Sequence, residues 1–150
     1  MKIVNFGLSY DLHSKDYCSP SSTKSTPLPL RWLAPEALQH KRFSVYSDIW
    51  AFGVLVWEVF SFGVQPYADL SNAQVVKHIL NRQLLPKPAK CPENMYRILL
   101  KCWSKTPAKR PWFSVLRKGL SKALENLDPE EIKKYGGAPS TPELGRHYMV

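Results

Sequence analysis

Cysteine is scarce in this sequence, and so are the features of secreted proteins. The three cysteines are widely separated and form no Cys-x-x-Cys pair; they are Cys18, Cys91 and Cys102. This spacing indicates neither a disulfide framework nor a zinc site. The N-terminal stretch lacks the apolar region of about 7–15 residues and the small-residue cleavage site that define a signal peptide. We therefore expect a reducing, cytoplasmic environment and no metal ion.

No apolar run in the chain is long enough to cross a membrane. The longest run extends from Ile49 to Phe60 and is interrupted only by Glu58, whereas a spanning helix needs about 20 apolar residues. A helix that is apolar on nearly every side belongs inside a domain. The run therefore predicts a central buried helix, with Ser44 as its N-cap and Gly63 as its C-terminal stop.

Acidic residues are also few, with 12 Asp and Glu against 21 Lys and Arg, and the formal net charge is +9. Such a balance favours acidic partners. The positive charge is densest where we predict the solvent-facing sides of late helices, at Lys101, Lys105, Lys109, Arg110, Arg117, Lys118 and Lys122. No basic run is interleaved with stacking aromatic residues, so we expect no nucleic-acid partner.

The chain is long enough for one domain with a hydrophobic core, since it has 150 residues of which 44% are hydrophobic. Residues 2–6 predict a short strand. Residues 8–30 predict a long loop, which in a compact domain is normally functional or disordered. The remaining pattern predicts further helices over 33–38, over 72–82, from Pro92 and from Pro111. The domain is therefore expected to be mainly α-helical.

Four motifs occur in order along the chain, and together they resemble the C-terminal lobe of a protein kinase. They are Asn5-Phe6-Gly7 in place of the family's Asp-Phe-Gly, Ala34-Pro35-Glu36 as its Ala-Pro-Glu, Ser47 to Gly53 in its central helix, and Cys102-Trp103 with Pro107 and Arg110-Pro111. Pro29 to Trp32 resembles the tyrosine kinase form of the loop before Ala-Pro-Glu. Residues 61–67 and 83–86 are similar to the Ror and muscle-specific receptor tyrosine kinases.

The resemblance implies a kinase-like C-terminal lobe over residues 1–126, with an activation segment over residues 5–36. It implies a truncated domain, because this sequence contains no N-lobe and no catalytic loop. The central helix would then be uncovered on one flank, and we expect an exposed apolar patch there. Residues 127–150, rich in Pro and Gly, are predicted to be a disordered tail.

Members of the resembled family phosphorylate tyrosines in proteins with ATP and Mg²⁺. In this sequence none of the four histidines is followed by Arg-Asp, and the seven glycines form no Gly-x-Gly-x-x-Gly. Phosphoryl transfer depends on positioning and electrostatics, so we expect no catalytic residue, no bound cofactor and no catalysis from this chain alone. The leading hypothesis is a partial receptor-type tyrosine kinase domain. The alternative is a non-enzymatic scaffold or interaction module built on a kinase C-lobe.

Asn5 stands where the family has the aspartate that holds Mg²⁺. Two unit charges about 4 Å apart interact by about 4 kcal/mol at an effective dielectric constant of about 20, and a dication roughly doubles this energy. Replacing the carboxylate by an amide therefore indicates a pseudokinase-like parent. An ordinary turn residue before Gly7 is the alternative interpretation of Asn5.

Structural roles are expected for four residues, three of them from the resemblance. Glu36 and Arg110 are expected to form a buried ion pair that ties the end of the activation segment to the late helices. Asp48 would accept hydrogen bonds from the catalytic loop, so without that loop its carboxylate should be solvated or unsatisfied, or should simply favour the positive end of its helix. Trp50 is expected to be a core anchor.

Two further features concern substrates and regulation. Tyr17 is the candidate phosphate acceptor of the long loop, although two of the family's usual three tyrosines are replaced there. The residues that correspond to the family's substrate platform are Pro29, Leu30, Arg31 and Trp32. The expected partners are proteins, either the missing half of a kinase domain or tyrosine-containing substrates of the parent. A receptor parent would place the chain on the cytoplasmic side of the plasma membrane.

Overall fold

The computed structural model describes residues 9, 17–19 and 28–125. The predicted strand at residues 2–6, Asn5, and the predicted tail over residues 127–150 lie outside this part of the chain. Within it the protein is mainly α-helical, as predicted. Its only β pairing there is an isolated antiparallel bridge between Cys18 and Phe43.

The described part of the chain forms α-helices separated by short connections. The helices are α1 (Pro35–His40), α2 (Val45–Phe60), α3 (Asn72–Leu80), α4 (Glu93–Cys102) and α5 (Phe113–Glu125). A 3₁₀ turn precedes α1 at Leu30–Trp32, and another joins α4 to α5 at Pro107–Lys109. Helix α2 packs most extensively against α4, which also packs against α5. None of the described helices combines the length and the hydropathy that crossing a membrane requires.

Both ends of α2 are held by local hydrogen bonds. At its start, the Ser44 hydroxyl accepts from the Ser47 backbone N–H at 3.4 Å, and the Ser47 hydroxyl accepts from the Ser44 N–H at 2.8 Å. This reciprocal pair satisfies two backbone donors that a helix start would otherwise leave unpaired. The prediction of Ser44 as the N-cap is confirmed.

The C-terminal stop of α2 begins one residue earlier than predicted. Phe62, and not Gly63, is the first residue with a left-handed backbone, with φ of 57°. The Phe62 N–H donates to the Val59 carbonyl at 3.1 Å, and the Gly63 N–H donates to the Glu58 carbonyl at 2.9 Å. These two bonds form a Schellman motif, in which the residue two places after the last helical residue carries the left-handed turn. Gly63 follows with φ of 81°.

Helix α2 is buried on one long side and open on the other. On the buried side lie Ile49, Trp50, Val54 and Trp57, all within the hydrophobic core. On the opposite side, Leu55 is 48% exposed and Val59 is 60% exposed. The prediction that the helix is enclosed on every side is therefore wrong for this face, because no described element covers it. An exposed apolar face was the expected result for a lobe without its usual neighbours.

The later helices have the predicted order, with small shifts in where they begin. Ser71 caps α3 and accepts from the Gln74 N–H at 3.4 Å. Pro92 is the residue before α4 and has an extended backbone, with ψ of 148°. Helix α5 begins at Phe113, two residues after the predicted Pro111. Both prolines thus lead into their helices without being the first helical residue.

Candidate functional site

Glu36 and Arg110 form a two-pronged ion pair between α1 and the chain just before α5. The Nη1 of Arg110 donates to Oε1 of Glu36 at 2.6 Å, and Nη2 donates to Oε2 at 3.0 Å. The Arg110 side chain has no exposed surface, whereas that of Glu36 is 17% exposed. Such parallel bonds between a guanidinium and a carboxylate are both stronger and more directional than a single contact.

Arg110 uses two further donors. Its Nε donates to the Ser104 carbonyl at 3.1 Å, and Nη1 also donates to the Tyr46 carbonyl at 2.8 Å. The guanidinium carbon lies 5.1 Å from the centre of the Trp50 ring, in a cation–π contact. A buried charge is tolerated when it is paired and hydrogen-bonded in this way. Arg110 therefore joins α1, the start of α2 and the segment after α4.

Three of the four predicted platform residues form the 3₁₀ turn before α1, with Pro29 preceding it, and the side chain of Arg31 anchors the turn. The Arg31 guanidinium donates to the carbonyls of Pro66 at 2.8 Å, Tyr67 at 2.5 Å and Leu70 at 2.7 Å. Pro29 is exposed, and Leu30 is half-buried. The turn is therefore anchored by a side chain that points inward, while Pro29, the residue before it, faces solvent.

Trp32 adds a second anchor that sequence reasoning missed. Its indole Nε1 donates to Oε2 of Glu58 at 3.0 Å, and Glu58 is the polar residue that interrupts the apolar run of α2. The isolated carboxylate of Glu58 indicates that it has a hydrogen-bond donor as partner, because a charge inside an apolar helix is costly unless it is hydrogen-bonded. The sequence does not indicate which backbone carbonyls accept from Arg31, since every residue type has a carbonyl.

Tyr17 lies beside the loop between α1 and α2. The neighbouring Cys18 exchanges backbone hydrogen bonds with Phe43, at 2.7 and 2.9 Å. Tyr17 is 40% exposed, and the guanidinium of Arg42 lies 4.9 Å from the centre of its ring. The hydroxyl-bearing side chain is thus reachable from solvent and has a positive charge next to it.

Asp48 lies on the open side of α2 and is solvent-accessible. Partial burial raises the pKa of its carboxyl above the ordinary value, which means that the surroundings disfavour the charged form. No group in the described part of the chain donates a hydrogen bond to this carboxylate. Trp50, in contrast, is a buried member of the core. The two residues lie close together in sequence, but only Trp50 is buried.

The two buried cysteines are unreactive thiols. Burial raises the pKa of the Cys102 thiol to about 12, although the nearby charge of Arg110 acts in the opposite direction. Burial likewise raises the pKa of Cys91 to about 11. A thiol is nucleophilic only when deprotonated, so neither residue is suited to covalent catalysis. Across the residues that the structure describes, no cluster of His, Cys, Asp and Glu could hold a metal ion.

Comparison with known proteins agrees with these features. Residues 1–120 match the profile of the family described as protein tyrosine and serine/threonine kinase. Because the match covers most of the sequence, the chain belongs to the protein kinase family. Its helical part is the C-terminal lobe of that fold, as the motifs predicted.

Two curated relatives narrow the class further. The chain is 42% identical over 114 residues to the tyrosine-protein kinase transmembrane receptor Ror of Drosophila melanogaster, an alignment that covers 76% of this chain and 16% of the relative. It is 41% identical over 110 residues to the NT-3 growth factor receptor of Gallus gallus, covering 73% of this chain and 13% of the relative. The chain is therefore a receptor-tyrosine-kinase-like region that spans a small part of the length of these relatives.

Proposed function

We propose that this chain is the substrate-facing part of a receptor-type protein tyrosine kinase domain and that it does not catalyse phosphoryl transfer by itself. The observation that carries the proposal is the anchored platform, in which Arg31 donates to the carbonyls of Pro66, Tyr67 and Leu70. A surface that receives substrate has to keep its shape before the substrate arrives, because ordering a loop on binding costs affinity.

Two contacts keep the platform in place relative to the helices. Trp32 bonds to Glu58 on α2, and Glu36, shortly after the platform, is held by Arg110. These contacts link the platform to the buried side of α2 and to the chain before α5. The platform is therefore held by this chain's own residues.

The absence of catalysis rests on the sequence. Phosphoryl transfer needs a base or water-positioning residue, a lysine or equivalent on the phosphates, and a metal aspartate. The 150 residues contain no His-Arg-Asp and no Gly-x-Gly-x-x-Gly, and Asn5 replaces the metal aspartate. ATP and Mg²⁺, the cofactors of the family, would thus have to be held largely by other residues. With Asn5 in that position, a pseudokinase-like parent is part of the proposal.

Thermal unfolding of the chain in the presence of Mg-ATP tests the lack of nucleotide binding. A ligand at a hundred times its dissociation constant stabilises a folded protein by about 2.7 kcal/mol, which shifts the melting temperature by several degrees in a domain of this size. We expect no shift up to millimolar Mg-ATP, and no phosphate transfer to a Glu-Tyr copolymer. A saturable rise in melting temperature would contradict the proposal, and a complete active kinase domain serves as the positive control.

We propose Tyr17 as a phosphate acceptor for an active tyrosine kinase acting on this chain. Its accessibility and the adjacent Arg42 support this role, because phosphorylation adds about −1.5 to −2 charges that a guanidinium can pair with. Peptide mapping after incubation with an active tyrosine kinase tests the proposal. We expect label on Tyr17 and its loss in Tyr17→Phe, whereas label only on other tyrosines would contradict it.

A non-enzymatic interaction module is the second candidate, and the exposed Leu55 and Val59 favour it because they offer an apolar contact surface. On either candidate the partners are proteins, and a receptor parent places the chain at the cytoplasmic side of the plasma membrane. The sequence of the transcript upstream of Met1 distinguishes the two. A His-Arg-Asp-x-x-x-x-Asn motif and an upstream lysine strand would support the enzyme parent, and their absence would support the module.

A further inference from the structure

A cavity of about 350 Å³ opens where α1, α2, α3 and the 3₁₀ turn Pro107–Lys109 meet. Its volume lies near the lower end of the usual range for binding pockets, about 300–1,000 Å³, which suits one large side chain better than a whole cofactor. The apolar part of the lining comes from Pro35, Trp50, Ile79, Leu80 and Pro107. Trp50 and Ile79 belong to the hydrophobic core, so the floor is rigid.

The rim of the same cavity is basic. His40, Arg82 and Lys105 line it and are exposed. The carboxylate in the lining belongs to Glu36, and both of its oxygens already accept from Arg110. In the described part of the protein, neither Arg82 nor Lys105 has a carboxylate partner. The cavity therefore combines an apolar floor with cations that have no carboxylate partner among the described residues.

Arg82 is held on the rim by the turn that ends α3. Arg82 has φ of 63° and occupies the left-handed position that ends α3. Its N–H donates to the Ile79 carbonyl at 3.1 Å, and the Gln83 N–H donates to the His78 carbonyl at 2.9 Å. Glycine is the usual residue at this place in such a motif, and an arginine there carries a conformational cost. These hydrogen bonds fix the place of Arg82 on the rim of the cavity.

We propose that this cavity docks an acidic segment of a partner protein, which inserts one leucine- or phenylalanine-sized side chain against the half-buried Pro35, Leu80 and Pro107 while its carboxylates face the basic rim. Charge complementarity selects the partner, because the free cations of the rim attract an acidic chain and repel a basic one. The site is separate from the platform, and its occupancy does not depend on the proposed kinase parentage.

Fluorescence anisotropy with labelled nonapeptides tests the proposal on the 150-residue chain. The probes carry Asp and Glu on both sides of a central leucine or phenylalanine. Matched peptides replace the central residue by alanine or the acidic residues by lysine. We expect saturable binding of at least one acidic probe that weakens as salt is added, a loss of about tenfold or more with the central alanine, and no binding of the lysine peptide.

Variants locate the binding on the molecule. Arg82→Gly removes one rim cation and places the residue favoured by the backbone there, so the fold should be retained, which the urea midpoint checks. Lys105→Ala removes another. Each should weaken binding by about two- to fivefold, the range for exposed ion pairs. Lys109→Ala and Arg97→Ala are the matched controls, since both residues are exposed and outside the lining, and both should leave the affinity unchanged.

Three results would overturn the docking site. The first is failure of both acidic probes to bind at millimolar peptide. The second is equal affinity of the central-alanine peptide, which would mean general attraction between an acidic peptide and a basic protein. The third is an equal loss in the rim variants and the control variants, which would place the peptide elsewhere on the surface.

Discussion

Ile49 and Leu55 lie on the same helix and have side chains of similar size, yet Ile49 is fully buried while Leu55 is about half exposed. The side of α2 that carries Ile49 meets α4 and the core, and through Trp50 it also meets the Arg110 guanidinium. The other side carries Asp48, Leu55 and Val59, here called the open stripe, and no described element covers it. The apolar run therefore predicted that α2 is a buried helix, but the elements packed against α2 determine which of its faces is buried.

Among changes on the buried side of α2, Arg110→Ala should lower the stability of the chain most. It removes the partner of Glu36 and leaves a partly buried carboxylate unpaired, which typically costs about 3–5 kcal/mol. Urea unfolding of the chain measures the loss. Lys109→Ala is the neighbouring control and should change stability by less than about 0.5 kcal/mol, because exposed positions without partners contribute little. Equal small effects of the two substitutions would reject a structural role for the pair.

Truncating one apolar residue on each side of α2 tests the comparison most simply. Ile49→Ala leaves a cavity in the core and should destabilise the chain by about 3 kcal/mol, within the range for buried aliphatic residues. Leu55→Ala should cost less than about 1 kcal/mol, because much of the leucine is already in water. The two values come from chemical denaturation under identical conditions. Similar losses would mean that the open stripe is covered in solution.

Glycine-to-alanine substitutions test the packing of α2 against α4. A Cβ at Gly53 would lie 2.8 Å from Nε1 of Trp103 and 2.9 Å from Cβ of Cys102, so Gly53→Ala should cost about 1–3 kcal/mol by overpacking. At Gly119 the nearest neighbour is Cδ1 of Ile98 at 3.5 Å, which is ordinary contact. Gly119→Ala should instead gain about 0.5–1 kcal/mol of helix stability. Opposite signs in thermal unfolding are the expected result, and a neutral Gly53→Ala would show that the two helices are further apart.

Asp48→Asn should change the stability of the chain least, and the change should depend on pH. Because the folded-state pKa of Asp48 is raised, the folded chain binds the proton more tightly than the unfolded chain, and stability falls as the pH rises between the two pKa values. The asparagine variant lacks this loss. Its stability relative to the unsubstituted chain should rise by less than about 1 kcal/mol between about pH 3 and pH 6. A relative fall over that range would mean that the carboxylate is stabilised by a partner.

Local features of the fold followed from the sequence, whereas the one distant contact that was expected, between Glu36 and Arg110, followed only from the family resemblance. Ser44 could be identified as a cap because a cap depends on the few residues after it. The contact between Glu36 and Arg110 joins residues 74 apart in the chain, and no periodic pattern encodes such a distance. The left-handed turn was placed at Gly63 because glycine is favoured there, but the hydrogen bonds place it first at Phe62.

The candidate site was predictable to different degrees for similar reasons. The platform residues were identified from the resemblance, but the means by which they are held was not. Arg31 bonds to backbone carbonyls, which have no residue-type signature. The bond between Trp32 and Glu58 was hinted at only by a charge inside an apolar helix. Which residues become hydrogen-bond partners depends on the assembled fold, and the type of either residue alone does not predict it.

The central claim is that the Glu36–Arg110 pair ties the start of α1, which follows the platform, to the chain before α5. A double-mutant cycle with Glu36→Ala, Arg110→Ala and the double variant measures this coupling directly, by urea unfolding of all four proteins. We predict that the double variant is less destabilised than the sum of the single variants by at least about 1.5 kcal/mol. Additivity within about 0.5 kcal/mol would contradict the claim, because residues that do not interact behave in that way.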